Sequence, residues 1–196
     1  IYSHADAPFI VDGTLIINGT KNNEVVFAGD RLDNDYKDLP AGWPGIYFRN
    51  NSKNNVLKFA IIKNAYQAVV ATAPSVNANP KLILQQCIIE NAYDAGILCA
   101  NTSLQINNSL ISNCGSNVAL VYGGDYNFIN CTVAAYSNLY INHKNPLLTV
   151  NNFAAQGGST ITANLNAVFR NCIFWADSSG FVNNEITVNK QGANTF

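Results

Sequence analysis

With 196 residues, a formal net charge of −1 and only 11 basic residues, the chain lacks the basic face that phosphate binding needs. That excludes nucleic acid or an anionic membrane as its main partner, and no apolar run reaches the length of a membrane span. Charged residues make up only 12%, so the polar surface falls largely to 31 Asn, a residue that tolerates left-handed backbone and bonds to its own backbone at turns.

In chain order, Phe9 to Val11, Thr14 to Ile17 and Glu24 to Phe27 read as strands, punctuated by Asp12-Gly13 and Asn18-Gly19. A long polar loop runs from Phe27 to Pro44, and Pro44 to Phe48 reads as the next strand. From Leu57 a segment recurs. Leu57-Lys58-Phe59-Ala60-Ile61-Ile62-Lys63-Asn64 returns as Leu84-Gln85-Gln86-Cys87-Ile88-Ile89-Glu90-Asn91. It returns again as Ile106-Asn107-Asn108-Ser109-Leu110-Ile111-Ser112-Asn113, with weaker copies from Phe128 and Phe169. The steps are 27, 22, 22 and 41 residues, so the last carries an insertion of 19 residues between Tyr136 and Asn166.

A period near 22 with apolar residues at fixed offsets is the pattern of a solenoid. Within one coil, Leu82 to Leu84, Cys87 to Glu90 and Gly96 to Cys99 read as three short strands, and Asn101-Thr102-Ser103 leads to the next coil. The neighbouring coils supply Ala68 to Ala71 and Val118 to Tyr122 as third strands. There is no room for a crossover helix, so the strands must pair in parallel with the coils above and below. The predicted fold is all-β: one parallel β-helix over residues 1–196, about 22 residues per coil, with two longer loop insertions. Leu57, Leu84, Ile106, Phe128 and Phe169 form one inward column, and Ile62, Ile89, Ile111, Val133 and Phe174 another.

The corners carry further expectations. Asn64, Asn91 and Asn113 share one corner, which predicts an amide ladder, and Tyr66 and Tyr93, two residues further on, predict a ring stack that holds it. Ile61, Ile88, Leu110, Thr132 and Ile173 point outward between inward positions, and an outward apolar stripe needs a cover. The longer loops are the expected cover. Five Cys cannot all pair. Cys87, Cys131 and Cys172 occupy a position filled elsewhere by Ala60 and Ser109, so they read as buried free thiols in a column of small residues. A Cys99–Cys114 disulfide stays open. The chain starts at Ile1 with no Met and no capping helix, so it reads as a piece of a longer protein.

The frame Gly13-Thr14-Leu15-Ile16-Ile17-Asn18-Gly19-Thr20, then Val26-Phe27-Ala28-Gly29-Asp30-Arg31, Trp43-Pro44-Gly45-Ile46-Tyr47 and Ala60-Ile61-Ile62-Lys63-Asn64, resembles secreted bacterial right-handed β-helix proteins of the pectate-lyase-like superfamily, of the predicted surface-lipoprotein type. The resemblance implies a right-handed helix and an extracellular or outer-membrane-associated location. It implies a polysaccharide or a surface protein as partner, and it covers enzymes as well as scaffolds. Function must therefore be argued from a site. Lyases of this superfamily use carboxylate-bound calcium and a basic residue; its hydrolases use clustered acids.

Acids within the repeats are scattered: Glu90, Asp94, Asp125 and Asp177 stand at four different coil positions. The bases Lys58, Lys63, Arg49 and Arg170 form no column either. Acids concentrate in the loop from Asp30 to Asp38, where Asp33, Asp35 and Asp38 are the candidate calcium ligands. Arg31, Tyr36 and Trp43 complete a candidate binding site, the two aromatic residues offering flat faces to sugar rings. The plainer alternative has Arg31 and Lys37 pairing the loop's own carboxylates and Trp43 packed inward. His4 and His143 show no partner pattern. The preferred reading is a non-catalytic, glycan- or protein-binding surface module, with a polysaccharide lyase or glycoside hydrolase as the alternative. Ice binding is weaker, because no regular Thr-x-Thr array is present.

Overall fold

The computed structural model describes residues 1–178 and 180–196 and holds twenty strands among them, with no helix long and apolar enough to cross a membrane. The strands fall into rungs. β1 (Tyr2–Ser3), β2 (Phe9–Val11) and β3 (Ile16–Asn18) make the first, and β4 (Val25–Gly29), β5 (Ile46–Phe48) and β6 (Asn55–Lys58) the second. β7 (Ala60–Lys63), β8 (Gln67–Thr72) and β9 (Leu82–Gln85) make the third. β10 (Ile88–Glu90) leads into β11 (Ala95–Asn107), and β12 (Leu110–Ser112) leads into β13 (Ser116–Ile129). β14 (Thr132–Ala135) and β15 (Leu148–Asn151) follow, then the hairpin of β16 (Phe153–Gln156) and β17 (Ser159–Thr162). β18 (Leu165–Arg170), β19 (Ile173–Ala176) and β20 (Ile186–Asn189) complete the chain.

Three faces result. Face A stacks β3, β6, β9, the second halves of β11 and β13, and β18. Face B stacks β1, β4, β7, β10, β12, β14 and β19, and face C stacks β2, β5, β8, the first halves of β11 and β13, β15 and β20. Every ladder joining one rung to the next is parallel; the β16–β17 hairpin is antiparallel. This is the expected parallel β-helix.

The registers Leu57↔Leu84, Leu84↔Ile106, Ile106↔Phe128 and Phe128↔Phe169 align one inward column. Its first four members are completely buried, and each such side chain contributes about 1.5–3 kcal/mol. Ile62, Ile89, Ile111 and Val133 form the second column with no exposed surface. Phe169 stacks on Phe128 at 4.9 Å and closes the column at the last rung.

Corners are tighter than the sequence suggested. Asn101 (φ 47°) turns the chain from face C to face A on one left-handed residue, so Thr102 and Ser103 belong to a strand and not to a linker. Single left-handed residues also turn A into B: Phe59, Gln86, Asn108, Asn130 and Asn171. Nine of the fourteen described non-glycine residues with positive φ are Asn, which accounts for the amide-rich composition.

The expected ladder is shorter than drawn. Asn91 Nδ2 donates to Asn64 Oδ1 at 2.7 Å, but Asn113 Oδ1 accepts from the Tyr136 amide at 3.1 Å instead. An unexpected second ladder runs at the A–B corner, with Asn171 donating to Asn130 and Asn130 to Asn108, each at 3.1 Å. On the outward stripe of face B, Ile61, Ile88, Leu110 and Thr132 are half-buried, and Ile173 is 60% exposed.

All five cysteines are free, so Cys99 and Cys114 do not pair. The thiols of Cys87, Cys131 and Cys172 donate to the carbonyls of Leu57, Ile106 and Phe128 at 3.2, 3.6 and 3.6 Å. Burial pushes Cys99 and Cys114 up to about 12. The folded chain thus holds protons that the unfolded chain releases near pH 9, and the thiols' contribution to stability, intact below pH 9, is lost as pH rises toward 12. Urea midpoints should fall across that window, and Cys99→Ala should flatten the slope. A wild-type midpoint that stays constant there would mean the thiols reach solvent in the folded state.

Candidate functional site

The loop that holds the candidate acids folds on itself. Asp33 O accepts the Tyr36 and Lys37 amides, and Arg31 Nε donates to Asp33 Oδ2 at 3.1 Å. The Arg31 guanidinium lies 3.6 Å from the centre of the Tyr36 ring and occupies one of its faces. Lys37 Nζ donates to Asn34 Oδ1 at 3.1 Å. Asp33, Asp35 and Asp38 do not gather: among the described residues, no three acidic, Cys or His side chains meet in a metal-binding group.

Trp43 requires a correction. It is 1% exposed, its Nε1 donates to Lys63 O at 2.9 Å, and its ring fills the core, so it presents no face to a sugar. The loop does corner work instead. Lys37 O accepts from Asn64 Nδ2 at 2.7 Å and Asp38 O from Asn91 Nδ2 at 2.9 Å, which ties the excursion to the asparagines of the B–C corner.

The concave site lies elsewhere, on the outside of face A. A groove of about 780 Å³ crosses β11, β13 and β18. Its floor is set by strand alternation: Ser103, Asp125 and Asn166 are in register across three rungs, and beside them Gln105, Asn127 and Val168. Arg170 lies at the end of β18. Residues 74, 75 and 77–80 form one wall, and Asn164 and Thr195 border the opposite end.

Local sequence builds each part. Asn77 and Asn79 both donate to Asn54 Oδ1, at 3.1 and 3.0 Å, and so pin the wall to the rung below. Lys81 is completely buried at the base of the wall. Its ammonium donates to the carbonyls of Thr72 at 2.6 Å and of Arg49 and Asn50 at 3.2 Å, while its amide donates to Ser103 Oγ at 2.9 Å. Burial lowers the Lys81 ammonium from the ordinary lysine value. At the floor, Tyr122 and Gly123 oppose the single residue Asn101, a bulge that re-aims the strand beyond it. Gly124 has φ +120°, and a Cβ there would sit 2.4 Å from both Thr102 O and Tyr126 Oη, so only glycine fits. Asp125 comes next. Its Oδ1 accepts from Asn166 Nδ2 at 2.9 Å, and its Oδ2 accepts no hydrogen bond among the described residues.

The polar part of the lining is amide, hydroxyl and backbone, with one carboxylate, Asp125, and one guanidinium, Arg170, and apolar residues such as Pro74, Pro80, Leu104 and Val168 are interspersed with it. The one aromatic residue along it, Tyr126, is completely buried. Such a surface binds by hydrogen bonds to hydroxyls and amides. Paired carboxyls, which glycoside hydrolysis uses, are not among its lining residues. Asp125, Asn127, Asn166 and Arg170 were missed as a group because they come from adjacent rungs, with Asp125 and Asn166 separated by 41 residues of chain. The adjacent glycines before Asp125 were the available signal.

His143 also departs from expectation. It is buried between Asp177 (Nδ1 to Oδ1, 3.2 Å) and Glu185 (Nε2 to Oε2, 3.0 Å). The Ser137 amide, and His143 after it, hold Asp177 below the usual carboxylate range. The arrangement joins the loop after β14 to the loop after β19.

Compared with known proteins, residues 9–133 match a family model described as a right-handed beta helix region. The chain matches no curated protein and no solved structure.

Lys81→Ala should strip three backbone carbonyls of their partner and cost about 3 kcal/mol, read from urea unfolding. Hydrogen exchange should rise first at residues 73–80. A loss under about 0.5 kcal/mol, the size of an ordinary surface substitution, would show that the clamp does not hold the wall.

Proposed function

Because the chain belongs to the right-handed β-helix family, whose fold serves many activities, we propose from the groove that it is a non-catalytic module binding an extended, hydroxyl-rich glycan across face A. The observation that carries this reading is the groove's mixed lining: amides and hydroxyls interspersed with apolar side chains on a preformed floor and wall, with Asp125 as the single carboxylate. Hydroxyl groups are donors and acceptors at once, and an array of Asn and Gln amides matches both roles. Asp125 Oδ2 is the strongest acceptor on offer, since charge-assisted bonds are roughly twice as strong as neutral ones. The module belongs outside the cell or at a bacterial surface, where such polymers are met. Free cysteines are compatible with that location because four of the five are buried and the fifth is half-buried.

The enzyme alternative is favoured only by the size of the groove, and the carboxyl pair it needs is missing from the lining. Affinity electrophoresis through gels containing soluble polysaccharides, neutral and uronic, tests the binding. Wild type should be retarded by at least one polymer, and Asp125→Ala should weaken that retardation about tenfold, the loss of one charge-assisted bond. No reducing ends or unsaturated products should accumulate. Turnover abolished by Asp125→Ala would make the groove an active site, and equal retardation of Asp125→Ala and wild type would remove Asp125 from the binding surface.

A further inference from the structure

A second feature lies at the corner between faces B and C, across the rung from the groove. The rings of Tyr66 and Tyr93 stack at 5.9 Å with 24° between their planes, and the residues are 45% and 55% exposed. Backbone register places one above the other: the Tyr93 amide donates to Ala65 O at 2.9 Å and the Asp94 amide to Tyr66 O at 2.8 Å. In the next rung the Gly115 amide bonds Ala92 O at 2.9 Å, as Tyr93 bonds Ala65 O, and the Ser116 amide passes over Tyr93 O to bond Asp94 O at 2.7 Å. The third member of this column is therefore Gly115. A Cβ there would lie 2.1 Å from Tyr93 O, so no side chain can stand above the Tyr93 ring from that position. Tyr66 covers one face of Tyr93, Gly115 contributes no side chain to the other, and Tyr93 stays 55% exposed.

Two oxygens border this ring. Asn145 Nδ2 donates to Gly115 O at 2.8 Å, which holds that amide at the glycine's rung, and its Oδ1 accepts no hydrogen bond among the described residues. Asp94 follows Tyr93 directly. Its Oδ2 accepts from Gln67 Nε2 at 2.6 Å, and Gln67 Oε1 in turn accepts from the Tyr47 hydroxyl at 3.2 Å. Asp94 Oδ1 accepts no hydrogen bond among the described residues. An open aromatic face beside two acceptor oxygens suits a ligand that is flat and apolar on one side and rich in O–H donors at its rim. A quaternary ammonium ion is better served by a cage of several rings, and here a single face is open.

We propose that the uncovered face of Tyr93, bordered by Asn145 and Asp94, is a second sugar platform that takes the apolar face of a neutral pyranose ring. It does not rest on the groove, and the two sites face opposite ways, so one molecule can hold two glycan strands. Affinity electrophoresis in gels of soluble neutral glucan, mannan, xylan and galactan tests it. At least one polymer should retard the wild type, and Tyr93→Ala should weaken that binding about tenfold. Tyr93→Phe keeps the ring and should bind as wild type, and Asp125→Ala should retain the part that depends on Tyr93. Circular dichroism shows whether each variant is folded. A folded Tyr93→Ala retarded like wild type by every polymer overturns the platform; if Asp125→Ala alone then loses binding, the groove reading survives. If no neutral or uronic polymer retards the wild type, both readings fall.

Discussion

The structure depends on how the chain turns its corners. Between faces A and B each rung from the third onward bends on a single residue in the left-handed region, at φ near 50° for Phe59, Gln86, Asn108, Asn130 and Asn171. A one-residue corner leaves no slack, so the strand after it starts in the same phase on every rung. Because side chains alternate along a strand, a phase error of one residue would turn the core outward. The corner residues thus align Leu57 with Leu84, Ile106 and Phe128, and let side chains of one kind stack on one another. Left-handed backbone costs most residues roughly 1–2 kcal/mol. Asn lowers that cost, and at Asn108, Asn130 and Asn171 it adds amide bonds along the axis.

The same rigidity prepares a binding surface. An outward position on one rung lies next to the same position on the next, so Ser103, Asp125 and Asn166 form a fixed row without being near in the chain. Departures from the regular corner supply the shape: the Tyr122-Gly123 bulge sets the approach to Asp125, and the excursion of residues 74–80 builds a wall clamped by Lys81 and Asn54. The Tyr93 platform obeys the same logic, with two rungs carrying a ring and the third a glycine. Regular rungs make the scaffold, and the exceptions to regularity make the sites.

This division explains what was legible in the sequence. The columns were, because inward positions repeat every 22 residues or so and only a stacked coil needs that pattern. The Tyr66–Tyr93 stack and the thiol column came from the same periodicity. Sites were harder to see. Acids close in sequence, Asp33, Asp35 and Asp38, suggested a cage, but a loop that tethers its backbone to Asn64 and Asn91 spreads its carboxylates outward. Trp43 looked like a sugar platform and is core, because its ring turns inward at the corner and finds Lys63 O for its N–H. Asp125 looked isolated because its neighbours are contributed by other rungs. His143 lacked a visible pattern for the same reason, with Asp177 and Glu185 more than thirty residues away.

The role of the corners is tested most directly by comparing Asn130→Gly with Asn130→Ala in urea unfolding. Both variants lose the same two ladder bonds, so their difference isolates the backbone conformation. With Asn130 at φ 54°, the glycine variant should be more stable than the alanine variant by about 1 kcal/mol. An alanine variant as stable as the glycine one, or more so, would contradict a left-handed corner at this position.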